Sequence, residues 1–349
     1  MKMPLFYDEE NPKCILLNVI FNNIDSRETQ QELSKNGIKP YNKALNYIKI
    51  SLISMFYGLN KYYVVCELNN SEELRKNFGF KSELDYNQLC EVFSRFTEEQ
   101  ILEFVLKRLN KVFPKQKRTY RYILVDSTDI SFDINLDKKY YSTEELEEKN
   151  FKLGYSSSKG HYIGGKLTIA IDYDTCKPLA VLFHPGAVHD SKIFDEILNE
   201  LKRRRILHNK DIIMADKGFV SYDNYELGLS RYKIVPLIFP KENMDKNKIL
   251  SRLSYFLDCF KHKIPNKRVY KNLYRRFKAL LYHWKDYKNI RSKIEDFFKF
   301  MKNGVGYSKI PVYTYKAAAK NAFLNVLLAG LIVAHLTPDN KELQRLAEW

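Results

Sequence analysis

The chain has 349 residues, 45% of them hydrophobic and 14% aromatic, enough to bury a core and, at roughly 100–200 residues per domain, to build two or three modules. Gly (13) and Pro (11) are scarce, which excludes collagen-like and low-complexity chains. Lys and Arg (58) exceed Asp and Glu (42) for a net charge of +16, so the expected partners are polyanions.

The opening MKMPLFYDEENPK has no apolar run and does not read as a signal peptide. Residues 1–113 read as mostly helical. Apolar residues recur at helical spacing in Leu45, Ile48, Ile53 and Phe56, and again in Leu89, Val92, Phe93, Ile101, Phe104, Val105 and Leu109. Gly58 and Gly79 punctuate the helices. Phe113 to Arg118 reads as a linker.

The texture then changes. Tyr122 to Val125 is a short apolar run, read as a buried strand that ends at Asp126 and is continued by Ser131 to Asp133. The Gly164-Gly165 pair reads as a loop at a strand entry. Lys166 to Asp172 and Leu179 to Phe183 are further strands, close enough for an antiparallel meander. Asp190 to Arg205 is an amphipathic helix, Asp211 to Ala215 a strand ending at Asp216, and Tyr222 to Leu229 a short helix. Lys233 to Phe239 is a strand whose Pro236 points to an edge position. This order predicts an α/β layer on a mixed sheet, the order of a ribonuclease-H-like core.

The charge is concentrated beyond this point. Arg231 to Lys309 holds 21 Lys and Arg against 6 Asp and Glu, nearly the whole excess of the chain. Tyr255, Phe256, Tyr270, Tyr274, Phe277, Tyr282, Trp284 and Tyr287 are interleaved with it, a mixture suited to phosphates and bases. A solvated basic face over ordinary core aromatics is the plainer alternative. Next comes a helix over about 284–302, then an apolar helix over about 316–336. The apolar stretch Ala322 to Leu336 is short for a bilayer and contains Asn325, so it reads as buried in protein. The five cysteines are scattered with no CxxC pair, which indicates neither a zinc site nor a disulfide framework and fits a reducing cytoplasm.

Three acidic residues stand out. A carboxylate just past a buried strand is held by rigid backbone, and Asp126 and Asp216 both take that place; turn capping explains either alone. Asp129 and Asp133 lie near Asp126 as second choices. On the 284–302 helix, Tyr287, Arg291, Glu295 and Lys302 fall within an arc of about 80° beside an apolar stripe. An i,i+4 surface pair of Arg291 with Glu295 is the plainer reading of that helix. His189 reads as a hydrogen-bonded structural residue, and Ser127 has no His-based triad to make it a nucleophile.

The ordered set, Asp126 in Asp-Ser-Thr, Asp216 in Ala-Asp-Lys-Gly and Arg291-x3-Glu295-x6-Lys302, resembles the Asp-Asp-Glu (DDE) transposases of prokaryotic insertion sequences. Within them it is similar to the branch with a Tyr-x2-Arg-x3-Glu-x6-Lys signature. The carboxylates are 90 and 79 residues apart. The tyrosine departs from the pattern: Tyr287 is one residue early and Lys288 holds its place. The His189-Asp190-Ser191 step also resembles the family.

The resemblance implies a ribonuclease-H-like catalytic domain over 116–310 with a basic insertion at about 241–283. A helical N-terminal domain over 1–115 would bind DNA ends, dimerise, or both, and a C-terminal helix and tail would follow over 311–349. It implies two Mg²⁺ or Mn²⁺ ions on Asp126, Asp216 and Glu295, the three catalytic groups, with DNA contacts from Tyr287, Arg291 and Lys302. The implied substrates are the double-stranded terminal repeats and the target DNA. A homodimer in the DNA complex, a cytoplasmic, nucleoid-associated location and no membrane follow. A DNA-binding derivative without strand transfer, or a ribonuclease-H-like nuclease or resolvase, are the alternatives.

Overall fold

A computed structural model describes residues 12–24, 26–113, 121–132, 153–156, 160–186, 188–259, 266–306, 309–310, 314–336 and 345. The linker expected at 114–118 and Asp133 lie outside the described residues. The chain divides into two compact units. One, the helical unit, is drawn from Met1–Pro114, Ile130–Phe151 and Lys299–Trp349; the other, the sheet unit, from Lys115–Asp129 and Lys152–Phe298.

The helical unit begins with α1 (Pro12–Ile24), α2 (Arg27–Lys35), α3 (Tyr41–Tyr57), α4 (Lys61–Asn70), α5 (Glu72–Asn77), α6 (Tyr86–Ser94) and α7 (Glu98–Val112). Local chemistry sets the ends. Thr97 and Gln100 form a reciprocal capping box at the start of α7, and Gly58 closes α3 at φ 65°, a left-handed conformation open to glycine. The apolar spacing read in α3, α6 and α7 becomes buried faces, with Ile48, Ile53, Val92, Ile101, Phe104 and Leu109 all inside. Lys49 is fully buried there too. Its ammonium donates to the Phe78 carbonyl and lies 4.9 Å from the ring centre of Phe21 and 4.5 Å from that of Phe80.

The sheet unit is built on β1 (Tyr122–Phe132), β2 (Leu153–Ser156), β3 (Gly160–Asp172) and β4 (Pro178–Pro185). After α8 (Asp190–Arg203) come β5 (Ile212–Ala215), a 3-10 turn (Lys217–Phe219), α9 (Tyr222–Ser230) and β6 (Val235–Ile238). Then follow α10 (Lys246–Cys259), α11 (Lys267–Tyr282), a second 3-10 turn (Trp284–Tyr287) and α12 (Lys288–Lys299). The strand order is β2-β3-β1-β5-β6, with β4 beside β3. β3 pairs antiparallel with β2 and β4, whereas β1, β5 and β6 run parallel. This is the mixed sheet flanked by helices that the element order predicted. Pro236 sits in β6, opposite Ile213 and at the end of that order, where its missing N–H costs no ladder bond.

Three sequence expectations need correction. β1 does not break at Asp126: the continuation expected at Ser131 to Asp133 joins it without interruption as far as Phe132, where Ser131 and Phe132 pair with β7 (Lys309–Ile310). Gly165 is not in a loop. It lies inside β3, where a Cβ would sit 2.2 Å from the Phe183 ring across the strand pair. The helix expected over 284–302 is three pieces: the 3-10 turn, α12, and a π turn over Phe300–Gly304 that carries Lys302.

That π turn and β7 return the chain to the helical unit, which ends in α13 (Tyr315–Leu336). By length and composition α13 could cross a membrane, but its central stretch from Ala318 to Val333 is buried in protein, as its interruption by Asn325 suggested. It lies so close to α7 that a Cβ on Gly330 would be 2.6 Å from a Leu109 methyl. Lys320 spends its ammonium on the carbonyls of Phe93 and Phe96, at 2.9 and 3.1 Å.

Candidate functional site

β1 and β5 bring the two aspartates side by side. Their parallel register ends at Val125 opposite Ala215, so Asp126 and Asp216 are the next residue on adjacent strands. β1 continues past this point while β5 gives way to the 3-10 turn that begins after Asp216. Buried Ile123, Leu124, Val125 and Ile212 to Ala215 hold the two backbones.

α12 supplies the rest. Ile294, Phe297 and Phe298 are buried, which turns Arg291 and Glu295 along the adjoining face. Arg291 Nη1 lies 3.1 Å from Asp126 Oδ2, and Nη2 lies 3.9 Å from Asp216 Oδ1 and also bonds Glu295 Oε1. One guanidinium thus collects carboxylates from three separate elements. Its side chain is only 13% exposed, against 17% for Asp126, 37% for Asp216 and 45% for Glu295. The face of the Phe239 ring lies 5.9 Å from the guanidinium and closes one side.

Asp126 is the electrostatically strained member. Burial pushes its pKa up to about 7; the like charges of Asp216 and Glu295 push the same way, while Arg291 and the Ser127 amide, 2.9 Å from Oδ1, oppose them. Arg291 alone therefore does not fully compensate the Asp126 charge. The donor set is all carboxylate oxygen, which suits a hard divalent cation. Among the described residues no trio of His, Cys, Asp or Glu stands arranged around a metal position; the Arg291 guanidinium spans the ground between the carboxylates.

Tyr287 is on the 3-10 turn before α12 and packs 6.5 Å from the ring of Tyr122, and partial burial raises its hydroxyl pKa. Lys302 stands on the π turn, in the helical unit. Asp129, the second choice beside Asp126, accepts from the Tyr162 hydroxyl at 2.6 Å and is not in the Arg291 cluster. His189 has the structural part expected of it: its side chain caps α8 by accepting from the Ser191 amide.

The residues that set the Asp216 turn escaped the sequence. Lys166 on β3 lies 3.0 Å from Asp190 Oδ1 and donates to the Val188 carbonyl at 2.9 Å. The other Asp190 oxygen lies against Gly218, where a Cβ would come within 2.7 Å of it. Asn224 ties the start of α8 to the end of the turn through the carbonyls of Ser191 (2.9 Å) and Phe219 (2.8 Å). The acidic first residue of α8 in the His-Asp-Ser step was the available signal, but its partners are far away in sequence. Beside Asp216 opens a cleft of about 560 Å³ lined by Lys217, Gly218, Lys241, Glu242 and Asn243.

A sequence model of the transposase DDE domain matches residues 117–331, well over half of the chain. The chain belongs to that family, whose members generally use divalent metal ions. Comparison with curated proteins gives no match. Among solved structures, "Mos1 transposase paired-end complex with left transposon end" overlaps 80% of this chain and 78% of its own, at 11% identity and a TM-score of 0.21. That superposition is too loose to transfer any residue.

Proposed function

We propose that this is the transposase of a prokaryotic insertion sequence, of the branch with the Tyr-Arg-Glu-Lys signature, which cuts DNA at the element's ends and joins them to a target. The observation that carries the reading is the gathering of Asp126, Asp216 and Glu295 around Arg291 within a transposase DDE domain. Asp126, Asp216 and Glu295 are the catalytic groups and would hold the metal through their carboxylate oxygens. Two Mg²⁺ or Mn²⁺ ions, when bound, would supply Lewis-acid activation of the attacking and leaving oxygens of a phosphodiester. In the first reaction a water oxygen forms a bond to phosphorus and the 3′-oxygen leaves with a proton. In the second that 3′-hydroxyl attacks a target phosphodiester, whose own 3′-oxygen departs.

The chain's residues orient these reactions. Arg291 would transfer its hydrogen bonds from carboxylates to DNA phosphate, for which a planar guanidinium is suited. Tyr287 and Lys302 are the further DNA contacts, and residues 1–115 bind the terminal repeats, dimerise, or both. Two ends must be paired, so the DNA complex is a homodimer, acting at the nucleoid in the cytoplasm.

The test is cleavage of DNA carrying the sequences that flank the gene, with Mn²⁺ present. Asp126→Asn, Asp216→Asn and Glu295→Gln should each lower cleavage roughly a thousandfold or more while keeping DNA binding. Wild-type protein that binds the ends without cutting would make it a DNA-binding derivative, and cutting of junctions or hybrids in preference to ends would make it a nuclease or resolvase. Full activity in any of the three variants removes that residue from the site.

A further inference from the structure

We propose that the outer face of α11, with the cleft at its side, is a second DNA site that grips duplex phosphates regardless of sequence. The inference rests on the transposase reading and extends it by naming a surface apart from the carboxylates.

α11 is firmly seated. Asn266 caps its first turn, and Tyr270, Leu273, Phe277 and Leu281 form its buried face. Phe277 meets the Tyr225 ring at 5.4 Å, and the hydroxyls of Tyr270 and Tyr274 each donate to a carbonyl of α10 at 3.1 Å. The other side is exposed, and every charge on it is basic. The helix has six Lys and Arg and no acidic residue. Lys267, Arg268, Lys271, Arg275 and Lys278 fall within an arc of about 100° at the α-helical period. Arg268, Lys271, Arg275 and Lys278 make no ion pair or hydrogen bond among the described residues.

Further round the helix the sixth cation shapes a cleft. Arg276 donates to the Lys210 carbonyl at 3.1 Å, and Lys210 is held at φ 73° with its own amide 2.8 Å from the Lys233 carbonyl. Between them lies a cavity of about 400 Å³ lined by Lys210, Arg268, Asn272 and Arg276. The acid in that turn, Asp211, is buried and paired with Arg121 at 3.1 Å, so it does not cancel the field.

Cations three and four residues apart on a helix stand about 5–6 Å from one another, a spacing that several phosphates of a duplex can meet together, since each strand carries one charge per ~3.4 Å of axis. Lys and Arg on phosphates position a duplex and read no bases, hence the sequence independence. A bilayer is the wrong partner, because insertion needs an apolar face and that of α11 is spent on β6, α9 and α10.

The experiment compares full-length wild type with Arg268→Ala/Lys271→Ala/Arg275→Ala and with a charge-matched control, Lys192→Ala/Lys202→Ala/Arg203→Ala on α8. Alanine favours helix, and thermal melting verifies that each variant folds. Binding to a short duplex of unrelated sequence and to one with the gene's flanking ends is measured over a salt series. The α11 variant should lose roughly 3 units of the log K against log salt slope, about 0.9 per contact, equally on both duplexes, while the control keeps the wild-type slope. An unchanged slope in the α11 variant, or an equal loss in the control, overturns the proposal although wild type still binds and cuts its ends. Wild type that binds neither duplex overturns the transposase reading, and this inference with it.

Discussion

Arg291 is the counter-ion of carboxylates from β1, the turn after β5 and α12. Arg291→Ala would leave those groups facing one another and push Asp126 still higher, since Arg291 is the main influence opposing burial there. Removing one partner of a well-buried pair costs about 3–5 kcal/mol; with Glu295 half exposed, a loss of about 2 kcal/mol at pH 8 is expected. Mn²⁺ should then raise the melting temperature of the variant more than that of wild type, by binding the folded form alone. Equal shifts in the two proteins would show that Arg291 does not compete with the ion, and no shift in either would show that the carboxylates hold none. The i,i+4 pair of Arg291 with Glu295 was legible in the sequence. Its reach to Asp126 and Asp216 was not, because that depends on how α12 lies over two parallel strands.

At the scale of elements, the Asp216 turn is set by close packing as much as by hydrogen bonds. Gly218→Ala would drive a methyl against Asp190 Oδ2 and shift either the Lys166–Asp190 pair or the turn itself. A displacement near 1 Å costs on the order of 100-fold in rate, so DNA cleavage should fall about that far with end binding retained. Gly228→Ala meets a harder neighbour, the Pro236 ring 2.8 Å away on β6. There the gain of about 1 kcal/mol in helix propensity is outweighed by overpacking, and urea melts should show a net loss of about 1–2 kcal/mol with m unchanged. Sequence periodicity found most of these elements because apolar spacing encodes them. It failed where the spacing carries no mark. The half-exposed Ser127 to Asp129 stretch hid that β1 runs unbroken from Asp126 into Ser131, and Phe300 and Met301 are as apolar and buried in a π turn as they would be in an α-helix.

At the scale of the whole molecule, a part-buried lysine makes stability depend on pH in an uncommon direction. Burial holds Lys61 at a pKa of about 8, beside Tyr47 at 3.2 Å and Asn321 at 2.7 Å. Between that value and the 10.5 of an ordinary lysine the unfolded chain binds the proton that the folded chain lacks, so this group makes stability rise with pH. The penalty is fully present below about pH 8 and gone above about 10.5, on the order of 3 kcal/mol in all. Tyr47 does not interfere, since burial raises its pKa and keeps it protonated across the window. Urea melts at pH 8 and pH 10 should therefore show a smaller change in Lys61→Met than in wild type; equal changes would mean that Lys61 titrates normally.

The helical unit takes its first seven helices from before the sheet unit and its most buried one, α13, from after it. A ribosome must therefore finish the sheet unit before α7 receives the helix that covers Leu109. Until then the helical unit has an open apolar face, and closing it requires contacts between distant parts of the chain, which form slowly. A messenger cut short before α13 would encode a folded sheet unit joined to helices with no core helix between them, a target for proteases and chaperones.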